Sequence, residues 1–158
     1  MQEIEDKIFD MIATDAVIQG YTGWAVADER VYHDWPPEDV ELSAAKPAYI
    51  TMRFLAPGPI MEAQHVQPVQ FPDETVELNV WANSALLRSQ VAERLMDIFW
   101  SRADATDKWT EIWTANFRIM KIVQEMAEDL EELHPGTNQI ICWRKMMRLG
   151  LGPIYKDR

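Results

Sequence analysis

Cysteine is almost missing from this chain of 158 residues: Cys142 stands alone, which excludes an intrachain disulfide and a cysteine-based metal cluster. A buried, unreactive thiol is the expectation for it. Long apolar runs are missing too, and none approaches the roughly 18 residues that a membrane-spanning helix needs. The opening, Met1-Gln2-Glu3-Ile4-Glu5-Asp6, is acidic where a signal peptide needs basic residues followed by an apolar stretch. The expectation is a protein that folds and acts in the cytosol. Positive charge is scarce, with 15 Lys and Arg against 26 Asp and Glu and a net charge of −11. Affinity for nucleic acid comes mainly from basic side chains neutralising phosphates, so a DNA-binding role is disfavoured.

Catalytic motifs are lacking as well. There is no phosphate-binding loop, no dinucleotide fingerprint and no G-x-S-x-G. The three histidines, His33, His65 and His134, are scattered and none has a metal-ligand spacing such as H-E-x-x-H. No cofactor or metal site is expected, and the sequence points away from an enzyme. The alternative kept open is a small cytosolic enzyme or ligand-binding domain using His33, Asp34 and Arg53 in a cleft.

What the chain does have is aromatic and soft apolar weight: seven Trp and nine Met within a composition that is 47% hydrophobic. Both types build cores, and both are enriched at protein contact surfaces. Charge is also uneven. Residues 141–158 carry five basic side chains (Arg144, Lys145, Arg148, Lys156, Arg158) against one acid, Asp157, while acids dominate everything before them. Such a chain can neutralise itself or a copy of itself.

Hydrophobic spacing predicts an amphipathic helix over 2–13, with Ile4, Ile8 and Ile12 in one stripe. Thr14-Asp15 can cap a further short turn that Gly20 ends. Two segments alternate with period two. In 48–55, Ala48, Ile50, Met52 and Phe54 oppose Tyr49, Thr51 and Arg53; in 75–81, Val76, Leu78 and Val80 oppose Thr75, Glu77 and Asn79. Ser84 caps a helix over 85–100 with Leu87, Val91, Leu95, Ile98 and Phe99 in its apolar stripe. Residues 113–123 read as a third strand and 139–149 as a weaker fourth. The acidic run Glu125, Glu128, Asp129, Glu131 and Glu132 lacks the glycine turn of a calcium loop. Leu130 and Leu133 there are spaced as in a helix, so a solvated helix or loop face is expected. The fold expected is α+β, one domain over 1–158, with an antiparallel four-stranded sheet and helices packed on one face. Val76, Leu78, Val80, Leu87, Val91, Leu95 and Ile98 are expected to be buried together.

Between the first two strands, residues 56–72 hold four Pro and one Gly. Loops of this length usually have a task. Met61, Val66, Val69 and Phe71 give it apolar contacts, so it is expected to be a projecting docking arm.

Several pieces then fall in a telling order. Thr14-Asp15-Ala16-Val17 follows the first helix, Arg30-Val31-Tyr32 precedes Trp35-Pro36-Pro37, and Lys46-Pro47-Ala48-Tyr49-Ile50 opens the first long strand. Glu77-Leu78-Asn79-Val80-Trp81-Ala82 then feeds the Ser84 helix. This order resembles the tail-terminator and tail-completion (neck) proteins of siphophages and related gene-transfer particles. The resemblance covers residues 1–100 well and the rest loosely; residues 56–72 and 101–138 are longer than the family's pattern. It implies a structural virion protein, assembled in the host cytoplasm. Its subunits would form a closed ring, usually of six copies, at the head-proximal end of a phage tail. The ring would stop growth of the major tail-tube protein, present a surface to the head-completion or connector protein, and let DNA pass through its lumen. Another neck component, such as a head-completion or stopper protein, remains the near alternative. For the ring contact, the basic Arg144, Lys145 and Arg148 of one copy are expected opposite the acidic Glu125, Glu128, Asp129 and Glu132 of the next. The other possibility is that these two segments pair within one chain.

Overall fold

The protein is described by a computed structural model covering residues 2–24, 29–34, 36, 40–55, 70–71, 74–99, 112–119, 122–133, 140–152 and 154–156. Along the chain run α1 (Gln2–Ala13), α2 (Ala16–Thr22), β1 (Val31–His33), β2 (Ala48–Leu55), β3 (Gln70–Phe71), β4 (Glu74–Ala82) and α3 (Ala85–Phe99). They are followed by β5 (Ile112–Trp113), β6 (Phe117–Ile119), β7 (Ile122–Leu133), β8 (Ile140–Leu151) and β9 (Ile154–Lys156). The class is α+β.

The helices follow their apolar stripes. Ile4, Ile8 and Ile12 of α1 are fully buried. Asp15 caps α2, its carboxylate accepting from the backbone N–H of Val17 at 3.1 Å and Ile18 at 2.9 Å. The helix runs through Gly20, where a stop was expected, and ends instead at Gly23 with φ of 69°. A left-handed residue is what a helix C-terminus needs, and a Cβ at Gly23 would also collide with the Ala45 carbonyl. In α3, Val91, Leu95 and Phe99 are buried, while Leu87 and Ile98 are partly buried against the core.

The main sheet has five strands in the order β1-β2-β4-β8-β7. β1 runs parallel to β2 and the other neighbours are antiparallel. The expected four-stranded antiparallel sheet is therefore corrected to a five-stranded mixed one. A second sheet, β3-β9-β6-β5, lies beyond it. At three residues, β1 is too short to show an alternation. β6 and β9 prolong the β7–β8 ribbon: Ile122 pairs with Leu151 in one sheet and Ile119 with Ile154 in the other. The ribbon thus passes from sheet to sheet.

Two further expectations are corrected. Residues 113–123 are not one strand. Thr114 turns the chain between β5 and β6, donating its backbone N–H to the Phe117 carbonyl at 2.9 Å and accepting the Phe117 N–H on its hydroxyl at 2.9 Å. Asn116 then donates from its backbone and side chain to the Glu3 carboxylate at 2.9 and 2.8 Å. Thr and Asn at alternate positions imitated a solvent-facing strand edge, but both are turn formers. The acidic run is not helical either; it lies in β7, an edge strand with a bulge between Gln124 and Met126. Acids on an edge strand discourage pairing with another chain.

Cross-strand partners share a face, so the register sorts the side chains. On one face stand Ile50, Val80 and Met52, Leu78, Met147, all buried in a single core with Ile4, Ile8, Ile12, Ile18, Val91 and Leu95 of the three helices. Ile119 and Ile154 of the second sheet belong to the same core. The opposite face carries Tyr49, Thr51, Arg53, Glu77, Asn79, Trp81, Arg144, Met146 and Arg148. No helix is long and apolar enough, among the described residues, to cross a membrane.

Candidate functional site

The outer face of the main sheet, opposite the three described helices, holds a dense set of specific interactions. Tyr49 of β2 and Trp81 of β4 are directly paired in the register. Their rings stack 5.7 Å apart at an interplanar angle of 14°. Arg144, the next partner on β8, lies over the Trp81 ring at 4.6 Å, and Arg30 lies over Tyr49 at 5.7 Å. Tyr32 meets Tyr49 edge-on at 6.0 Å. Two stacked rings are thus closed at both ends by guanidinium groups, an arrangement that the negative ring faces favour. Burial pushes the Tyr49 phenol up to about 12, so it stays protonated at neutral pH.

The cations are held by polar partners as well. Arg144 donates from Nε and Nη2 to Asn79 Oδ1 at 2.9 and 2.8 Å and contacts Glu132 at 3.5 Å. Asn79 donates in turn to Glu77 Oε1 at 3.2 Å, and Arg148 donates to Glu77 Oε2 at 3.0 Å. Trp81 Nε1 donates to Thr51 Oγ1 at 3.4 Å. Arg30, 2% exposed, donates to the carbonyls of Ala48, Glu41 and Lys46, each at 3.2 Å. It fastens the loop before β2 to the strand that follows.

Of the charged residues expected at a boundary between copies, Asp129 and Glu132 meet Lys145 and Arg144 inside one chain, while Arg148 bonds Glu77 of β4. β7 and β8 are antiparallel neighbours, so Asp129 faces Lys145 at 3.2 Å, and Glu132, opposite Cys142, reaches Arg144 diagonally at 3.5 Å. Asp129 also forms an ion pair with Arg88 of α3 at 3.3 Å, on the helix side of the sheet. Glu128, Arg144 and Arg148 point to the outer face, Asp129 and Lys145 to the helix face. Phe71 lies in β3 opposite Ile154. Met61, Val66 and Val69 fall outside the described residues.

His33, Asp34 and Arg53 are not brought into one cleft. His33 stacks on Phe9 of α1 at 4.5 Å, on the helix side, whereas Arg53 projects from the outer face. Asp34 takes a left-handed φ of 58° and donates its N–H to the Met52 carbonyl. Cys142 is buried, and that burial pushes its thiol up, which disfavours the nucleophilic thiolate. Among the described residues no group of His, Cys, Asp or Glu is arranged to hold a metal ion.

Sequence reasoning put Tyr49 and Asn79 on the outer face without assigning them a use; it missed the Trp81 stack and the Arg30 clamp. The available signal was a large aromatic on the half of each alternation that water should face. The chain matches no protein-family model and no curated protein.

Proposed function

We propose that this chain is a ring-forming structural protein of a long-tailed phage, ending tail-tube growth and joining tail to head connector. The observation that carries this reading is how the resemblance-bearing segments join. Arg30 of the Arg-Val-Tyr piece bonds the carbonyls of Lys46 and Ala48 in the Lys-Pro-Ala-Tyr piece. Tyr49 of that piece stacks on Trp81 of the Val-Trp piece. Asp15, at the end of the first helix, makes two hydrogen bonds to Arg94 of the Ser84 helix at 3.1 and 2.6 Å. Pieces far apart in sequence are thus parts of one scaffold, which supports reading them together.

The chemistry of the molecule supports a structural role. Among the described residues, Arg144, Asn79, Glu77 and Arg148 bond one another in a chain across the sheet. The net charge of −11 suits a wall around a channel through which DNA must slide and not stick. The partners are further copies of the chain, most simply six, the major tail-tube protein on one side and the head-completion or connector protein on the other. Residues 56–72 are assigned the docking arm, with Met61, Val66, Val69 and Phe71 as its contacts.

The test is an assembly reaction. Purified protein added to polymerising tail-tube protein should yield tubes that stop growing and carry extra density at one end. Tubes that elongate as if nothing had been added would overturn the assignment. Binding to the connector with no effect on tubes would move the protein to the head-completion position.

A further inference from the structure

We infer that the outer face of the main sheet is the surface through which one copy of this chain packs against the next. This rests on the ring reading given above. An antiparallel sheet with one face in water normally alternates apolar and polar residues, with the polar ones outward. Here the outward positions include Leu55, Trp81, Met126, Leu130 and Met146, and the outward positions of β2, β4, β7 and β8 contain no lysine. Tryptophan, tyrosine, methionine and arginine are the types enriched at protein contacts, and lysine is depleted there.

Charge selects the occupant. Arg30, Arg53, Arg144 and Arg148 on this face are balanced by Glu77, Glu125, Glu128 and Glu132, so it is neutral on a chain of net charge −11. Nucleic acid would need an excess of free cations, and two of these arginines already hold Glu132 and Glu77. A basic partner would be drawn to the acidic surfaces elsewhere. A second copy, itself strongly acidic, meets the least repulsion where the charge is zero.

Size and rigidity agree. Strands about 4.8 Å apart with a rise of about 3.3 Å per residue give four strands of eight residues a plan area of about 500 Å². Tyr49, Thr51 and Asn79 within it are already buried, so it supplies the centre of the roughly 800 Å² per partner of a stable contact and flanking surface the rest. The stacked rings and bonded guanidinium groups are already ordered, so little freedom is lost when they are covered. In a closed ring the face meets a different surface of its neighbour, not its own counterpart.

The experiment compares the native protein with two variants by mass photometry and native mass spectrometry, with circular dichroism melts to check folding. Met146→Arg places a bulky cation at the centre of the face. Arg53→Glu reverses a charge at an exposed position and leaves the core untouched. Both are expected to stay folded and to assemble at least about tenfold more weakly than the native chain. If Met146→Arg does not fold, Arg53→Glu decides alone. Native oligomers with variants that assemble equally well would overturn this inference and leave the ring reading standing. A native protein that stays monomeric at tens of micromolar would overturn the ring reading, and this inference with it.

Discussion

Replacing Asp15 by alanine removes two separate things. The first is the N-cap of α2, where the carboxylate satisfies the N–H groups of Val17 and Ile18; such a cap contributes about 1 kcal/mol. The second is the tie to Arg94, which joins α2 to α3. Arg94 is 36% exposed, so water screens the pair and its share is about 0–1 kcal/mol. The sum is about 1–2 kcal/mol, a fall of about 2–8 °C in Tm for a domain of this size. Asp15→Asn keeps a competent cap and loses only the charge, so it should fall between alanine and native. The effect also has a pH signature. Its hydrogen bond to Arg94, chief among the causes, holds the Asp15 carboxyl below its ordinary value. A depressed carboxylate contributes stability above its unfolded pKa and loses it as pH falls through the folded value. Native and Asp15→Ala melts should therefore differ most at neutral pH and converge in acid, below the ordinary aspartate range. Thermal melts from about pH 2 to pH 7 measure both. A variant within about 1 °C of native at neutral pH, or a gap that widens in acid, would refute the two-part reasoning.

Two further substitutions probe the packing. Leu95 is fully buried between α3 and the sheet, so Leu95→Ala should cost about 2–5 kcal/mol in denaturant unfolding; a cost below about 0.5 kcal/mol would mean that α3 is not docked on this sheet. Gly23→Ala forces a Cβ onto a left-handed residue beside the Ala45 carbonyl and should destabilise by more than about 1 kcal/mol, whereas Gly20→Ala, in open space within α2, should be neutral or stabilising. Equal melting temperatures for these two glycine variants would contradict the assigned helix end.

Patterns long enough to repeat were legible in the sequence. α1, α3, β2 and β4 each span eight residues or more with their apolar period intact, and they supply most of the core. Short or interrupted patterns were not. β1 has three residues; residues 30–33 read as a short extended piece, but the parallel pairing depends on the chain returning through residues 40–47, which no local pattern encodes. β7 misled because its bulge breaks the alternation and its acids occupy both faces, leaving Leu130 and Leu133 at a helix-like spacing. The charge asymmetry of the C-terminal segment was real, but its meaning depended on register. Once β7 and β8 are antiparallel neighbours, Asp129 and Lys145 meet in the same chain. The outer face was half visible: the alternation set Tyr49, Arg53 and Asn79 there. The bonds that organise it across strands join residues up to 71 positions apart, and those come only from the assembled sheet.

The most direct test of the central claim is electron microscopy of the purified protein, with particle mass measured on the same sample. A closed ring of uniform diameter, six copies in its simplest form, with an open lumen wide enough for duplex DNA is the predicted result. A field of monomers or compact dimers with no lumen, at concentrations where tail proteins assemble, would contradict it.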